Sequence, residues 1–592
     1  MGYETTRHRL HTLTTLAIIA LACQLSIAAN ISGKKAESRR VPNVILVLTD
    51  DQGYGDLACH GNKMIRTPNL DRLYAQSVRL RDFHVSPCCT PTRAGLLTGQ
   101  NPVRLGAWGT TWGRSLPSSD AVTVADVFTA GGYRTGCFGK WHLGDNYPFR
   151  PQDRGFQEVL IHGGGGVGQT PDYWGNDYFD DTYFRNGKLE KFQGYCTDVW
   201  FDAAMHFIEA NRERPFFAYL ATNAPHGPYL VAEEYSQLYR DNPDVPNANF
   251  YGMITNIDEN MGRLAERLDR LGLAENTILI FTTDNGTSAG FRGGKGFNAG
   301  MRGAKGSLFD GGHRVPCFLR WPAGGLTGPR DVDALAAHLD VLPTLVDLCG
   351  LKTPEGAEFD GVSLALLLLG KTDRLPDREI FVQYRQSADP PEKWNAAVLS
   401  ERWRLVGGGQ LYDIDQDPGQ KRDIAADHPE VVQRLREAYE AWWADVSPGF
   451  DSYSEIVLGA DHENPARLTG FDWHTTTPWN QQAILAGVLA NGFWAVEIAR
   501  GGRYEITLRR WPGEVDRPIT AAIPGGKAIA ATTARLAIGD IDLTQPIPKD
   551  AAAVTFSVEL KASKTKLQTW LTNESSGELR GAYYVSVKRL AE

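Results

Sequence analysis

A chain of 592 residues exceeds what one hydrophobic core supports, because single cores stop growing near ~250–300 residues. Hydrophobic residues at 42% and charged residues at 22% argue against a disordered or fibrous chain. The 61 Lys and Arg against 70 Asp and Glu, a formal charge of -9, argue against a general nucleic-acid binder, whose phosphate contacts need a basic face.

The chain begins with Arg7-His8-Arg9, an apolar run from Leu13 and the small-residue end Ser26-Ile27-Ala28-Ala29. A basic start, a short apolar stretch and small residues describe a secretory signal peptide over residues 1–29, so the mature protein is expected in the periplasm or secreted. A loose lipoprotein-box match at Ala20-Leu21-Ala22-Cys23 has its leucine displaced. No later run is long and apolar enough to span a membrane. Seven cysteines follow the signal, an odd number, which points away from a disulfide framework and leaves the adjacent pair Cys88-Cys89 conspicuous.

Runs rich in β-branched and aromatic residues predict strands over residues 43–49, 133–138, 216–222, 277–283 and 316–321. Helical patterns intervene over 67–77, 123–130, 199–211, 256–271 and 339–349. Alternation of this kind predicts an α/β fold with a mostly parallel central sheet sandwiched by helices, with ligands outside the carboxyl ends of its strands. Residues 40–375 are assigned to that catalytic domain and 376–450 to a smaller α+β subdomain with a closing helix near 428–445. From residue 451 helical periodicity nearly vanishes, and β-rich runs at 495–498, 504–508, 554–560, 567–571 and 583–587 predict an appended β-sandwich over 451–592. Residues 451–479 are read as its connection.

Four predicted strands end in polar clusters: Asp50-Asp51, Lys140-Trp141-His142, Asn223-Ala224-Pro225-His226 and Asp284-Asn285. Any one of them is ordinary loop polarity, but the four together point to one site. Three carboxylates and an amide oxygen suit a hard divalent cation, Ca²⁺ or Mg²⁺, rather than zinc.

Between these clusters stands Cys89-Thr90-Pro91-Thr92-Arg93. With it the chain resembles the type I sulfatases of the alkaline-phosphatase superfamily, whose maturation signature is Cys-x-Pro-x-Arg; the register selects Cys89, because Cys88 has no proline two residues later. The resemblance runs from about residue 42 to 445. It includes Gly139-Lys140-Trp141-His142-Leu143-Gly144, Pro225-His226-Gly227-Pro228, and Arg302-Gly303-Ala304-Lys305-Gly306 continuing to Gly311-Gly312, with Asp310 where glutamate is more usual.

The resemblance implies an arylsulfatase-like enzyme in which a formylglycine-generating enzyme oxidises Cys89 to Cα-formylglycine. Asp50, Asp51, Asp284 and Asn285 would bind one Ca²⁺, with residue 89 as a further ligand. Arg93, Lys140 and Lys305 would face the sulfate, which carries negative charge on three non-bridging oxygens. It also implies that Asp284 takes a proton from the nucleophile, that His226 or Lys305 protonates the leaving oxygen, and that His142 acts as base when sulfate is expelled. The substrate would be an aryl sulfate or, as the 15 Trp and 21 Tyr allow, a sulfated glycan. The helix starting at Cys89 would aim its N-terminal N–H groups at the same anion.

Other features read as packing. His60, His84 and His313 are expected to be structural, His338 and Asp340 a helix-start feature, and Gly163–Gly166 a flexible loop without a phosphate-loop lysine. Trp108, Trp112, Asp172-Tyr173-Trp174 and Tyr178-Phe179 either line a sugar cleft or pack loops. Trp473, Trp494 and Trp511 could bind carbohydrate from the sandwich, although a structural cap is the simpler role. Two rivals remain: a phosphonate or phosphate-ester hydrolase on the same fold, and an exported carbohydrate-binding protein in which Cys89 is never converted.

Overall fold

The computed structural model describes residues 41–590; the expected signal segment and Cys23 lie outside them. At its centre is a ten-stranded mixed sheet. Its middle is five parallel strands in the order Thr277–Thr283, Asn43–Thr49, Phe216–Ala221, Arg134–Gly139 and Glu158–Ile161. Antiparallel partners extend both sides, among them Cys317–Arg320 on one and Thr182–Arg185 on the other.

Alternation along Asn43–Thr49 explains why two helical layers are needed. Val44, Leu46 and Leu48 enter one apolar cluster, with residues of the helices Cys89–Thr98, Val124–Ala130 and Val341–Cys349. Ile45 and Val47 enter the other, with residues of Pro68–Gln76, Cys196–Ala210 and Ala248–Arg270. A strand buried on both faces must be apolar along its length, as this one is from Val44 to Leu48.

The expected strands and helices are present, with shifted ends. The largest shift is in the helix expected from residue 256, which starts at Ala248 because Asn247 caps it, its side chain accepting from Phe250 N at 3.1 Å. Among the described residues no helix is long and apolar enough to cross a membrane.

A four-stranded antiparallel sheet follows, made by Ile380–Gln383, Ala396–Leu399, Trp403–Val406 and Gln410–Asp413. Helix Pro429–Val446 covers it, packing Leu435 and Tyr439 on Val398 and Leu405. The C-terminal region is two β-sheets around one apolar core. The segment read as a connection supplies a strand to each, Ile456–Leu458 to one sheet and Ala466–Thr469 to the other. Trp473, Trp494 and Trp511 are fully buried in that core, so none offers a face to a sugar.

Candidate active site

The polar clusters converge because their strands are neighbours. Thr277–Thr283, Asn43–Thr49, Phe216–Ala221 and Arg134–Gly139 lie side by side and parallel, so their carboxyl ends open on one edge. Register Thr49↔Thr283 sets Asp50 beside Asp284, and Asp284 N donates to Thr49 O at 3.0 Å. At the far end Gly139 sits at φ 105°, and a Cβ there would lie 2.0 Å from Ala221 O. Only glycine allows that approach, which lets Lys140 N donate to Ala221 O at 2.6 Å.

Three carboxylates and three cations interlock here. Arg93, fully buried on helix Cys89–Thr98, donates Nη2 and Nε to Asp284 Oδ2 at 2.8 and 3.2 Å, and Nη1 to Lys140 O at 3.0 Å. Lys140 Nζ lies 2.6 Å from Asp50 Oδ2. Lys305 Nζ reaches Asp51 Oδ1 at 2.5 Å and Cys89 Sγ at 3.5 Å. Asn285 Nδ2 donates to Asp51 Oδ1 at 2.9 Å, and His226 Nε2 stands 3.8 Å from Asp51 Oδ2. Nine of the ten residues assigned to the site from sequence meet here; the tenth, His142, adjoins them through its main-chain oxygen, which accepts from Thr90 Oγ1 at 3.1 Å.

Electrostatics follow from burial. The Asp284 carboxyl is pushed up to about 6 by burial and by Asp50. Burial pushes Asp51 up too, but Lys305 and His226 outweigh it and hold that carboxyl well below the usual range. Burial drives the Cys89 thiol above its ordinary value. It pulls His226 down to about 4 and His142, with help from Lys140, well below the usual imidazole range.

The donor set fits a hard cation. Asp50 Oδ1 and Asn285 Oδ1 are buried acceptors without a hydrogen-bond partner among the described residues, and Asp50, Cys89 and Asp284 bring ligand atoms within 4.8 Å of one another. An acceptor buried without a donor is costly, and a cation bound by oxygens removes that cost. Cys89 opens its helix without a side-chain cap at Cys88, leaving first-turn N–H groups available to an anion.

Other expectations resolve here. His84 and His313 face each other, Nδ1 to Nδ1 at 2.9 Å, in a buried network with Asp82, Asp310 and Arg404; His60 stacks on Tyr54. Asp340 accepts from Ala337 N at 2.7 Å, as a helix-start residue does. Trp108 and Tyr178 are buried, and Trp174 packs edge-on against Trp511. Tyr173 lines a cavity of about 910 Å³ against the sandwich. The glycine run is not a flexible loop: residues 163–166 are buried, and a Cβ on Gly165 would lie 2.2 Å from the His142 ring. Sequence reasoning missed Thr110, whose carbonyl oxygen lies 2.8 Å from His142 Nε2. A main-chain acceptor leaves no residue-type signal.

A sulfatase family model matches residues 42–351, and a model of the N-sulphoglucosamine sulphohydrolase C-terminal region matches 304–442. The chain belongs to the sulfatase family. This sulfatase is 31% identical to human arylsulfatase A over 486 residues, which cover 71% of this chain and 89% of the human protein. It is 30% identical to the N-acetylgalactosamine-6-O-sulfatase of Bacteroides thetaiotaomicron over 511 residues, covering 68% of this chain and 94% of that one. It is also similar to the crystal structure of Ps i-CgsB in complex with k-i-k-neocarrahexaose, with TM-score 0.62 and 28% identity over 70% of this chain and 95% of that one. The sulfatase is thus a sulfuric ester hydrolase of the alkaline-phosphatase superfamily.

Proposed function

We propose that this sulfatase is an exported, calcium-dependent enzyme that removes sulfate from a sulfated carbohydrate, with residue 89 as nucleophile after conversion to formylglycine. The observation that carries the reading is Cys89 at a helix N-terminus, buried among three cations and three carboxylates at one sheet edge. As a thiol, Cys89 is a poor nucleophile there, since burial suppresses the thiolate that would attack. The relatives favour a sugar substrate: one is named for N-acetylgalactosamine 6-O-sulfate and another was solved with a neocarrahexaose.

Formylglycine would supply a hydrated aldehyde hydroxyl as nucleophile, and calcium on Asp50, Asp51, Asp284 and Asn285 would add positive charge beside the sulfate. Asp284, which brings a carboxylate oxygen within 4.8 Å of the residue 89 side chain, would accept the nucleophile's proton. Arg93 holds that carboxylate in place through two N–H donors on one oxygen. Lys140 and Lys305 carry the charge that the non-bridging sulfate oxygens require. Lys305 or His226, both beside Asp51, would return a proton to the departing alcohol oxygen, and burial, by drawing His226 down to about 4, favours Lys305. His142 Nε2 donates to the Thr110 carbonyl, which leaves Nδ1 as the basic nitrogen for the later proton transfer.

Chelation tests the metal assignment. EGTA treatment is expected to abolish release of sulfate and lower the melting temperature, and added Ca²⁺ to restore both. At a free concentration 100 times Kd the gain is about 2.7 kcal/mol. Full activity after exhaustive chelation would defeat the calcium reading. A panel of sulfated oligosaccharides, scored by free sulfate, tests the substrate class; turnover of aryl sulfates alone would count against a sugar substrate.

A further inference from the structure

Building on the assignment of His142 as a base, we infer that the C-terminal β-sandwich belongs to the catalytic apparatus: Gln481 and His474 are positioning residues that set the place and tautomer of His142.

His142 is held in an unusual state. It is buried with φ 61°, in the left-handed region, which a non-glycine residue keeps only when its surroundings enforce it. A carbonyl oxygen can only accept, so the contact with Thr110 O places the ring proton on Nε2. Nδ1 is buried and has no partner among the described residues. Gly165 closes one side of the ring, and the Phe471 ring of the sandwich stands with its centroid 6.1 Å away. Two loops therefore hold the imidazole, one carrying Thr110 and one carrying Gly165.

The sandwich grips both. In the first loop Gly113 abuts the His474 ring so closely that a Cβ would lie 2.3 Å from its Nε2, while His474 N donates to Phe493 O at 3.0 Å. Arg114 of the same loop donates Nη1 to Ser452 O at 2.6 Å. Thr110 has a second anchor in Gln386, which accepts from its hydroxyl at 2.7 Å.

In the second loop Gly165 N donates to Gln169 Oε1 at 2.8 Å. Gln169 forms a β-bridge with Asn480, and Thr170 N donates to Trp479 O at 3.2 Å. Gln481, also buried, donates its backbone N to Gly168 O at 3.2 Å and its side-chain Nε2 to Gln169 O and Tyr173 O at 3.3 and 3.2 Å; its Oε1 accepts from Gly175 N at 3.0 Å. One glutamine side chain thus ties down the backbone on both sides of residues 170–172. A tethered binding module would leave no such trace on the catalytic loops. Misplacing a reacting group by ~1 Å costs on the order of 10²-fold in rate.

The test uses the full chain. Gln481→Ala and His474→Ala are each expected to lower kcat on an aryl sulfate by roughly 10- to 100-fold with KM little changed. In a His142→Ala background neither is expected to lower kcat further, because both act through that ring. Nitrogen-15 histidine NMR on Cys89→Ala protein provides a readout independent of turnover. Its His142 signal, assigned by loss in His142→Ala, should report proton on Nε2, and each positioning substitution should shift it toward a mixed tautomer. Unchanged kcat in both variants, an additive loss in the His142→Ala background, or an unmoved tautomer would overturn the inference. If Gln481→Ala does not fold, His474→Ala decides alone. A parent enzyme that releases no sulfate would defeat the functional proposal instead, and the NMR arm would still judge the sandwich.

Discussion

Cys89→Ala is expected to abolish sulfate-ester turnover, on the order of 10⁴-fold or more in kcat, while leaving the fold intact. The residue is 2% exposed, and relative to the unconverted cysteine the substitution removes one sulfur atom, so the stability change against unmatured parent should stay within about 1 kcal/mol. The contrast separates chemistry from packing, since the helix Cys89–Thr98 is held by Ala94, Leu96 and Leu97 rather than by its first residue. Steady-state kinetics on an aryl sulfate beside a thermal melt checks it. Turnover surviving in Cys89→Ala would remove residue 89 from the reaction, whatever its modification.

Arg93→Met is expected to damage both activity and stability. The guanidinium is fully buried and has Asp284 at 2.8 Å and Asp50 at 4.0 Å. Burying it is itself costly, but removing it leaves two buried carboxylates short of a cation, a loss of about 3–5 kcal/mol where a buried pair is broken. Turnover should fall roughly 10²- to 10³-fold, the range for losing one preorganised donor to a developing anion. Calcium compensates part of the uncovered charge, so the melting deficit should be larger in EGTA than in calcium. A variant as stable as the parent in EGTA would show that Arg93 does not balance these carboxylates.

The parallel core was legible because its strands are buried on both faces: Asn43–Thr49 and Thr277–Thr283 have no exposed position and therefore no polar one beyond Asn and Thr. The site was legible because its chemistry lies in side chains of distinctive type at strand ends. The order of the strands was not, since apolar runs record burial but not neighbours, and it is that order which brings Asp50, Lys140, His226 and Asp284 together.

The sandwich was harder for two reasons. Ile456–Leu458 and Ala466–Thr469 are too short to show alternation, and Ile541–Pro546 is largely exposed and lacks an apolar face. Its tryptophans advertised sugar binding by type, while burial in the core decided otherwise. The glycines at 163–166 have no side chain to reveal what they touch, and close approach to His142 is visible only in three dimensions.

The most direct measurement is the chemical state of residue 89 in active protein: capture of its peptide with an aldehyde-reactive hydrazide, followed by mass spectrometry, beside a calcium-dependent sulfate-release assay on the same preparation. An aldehyde at residue 89, in a fraction that rises and falls with specific activity when a maturation enzyme is supplied or withheld, is the expected result. Undiminished, calcium-dependent sulfate release from protein whose Cys89 is wholly an unmodified thiol would contradict the proposed chemistry.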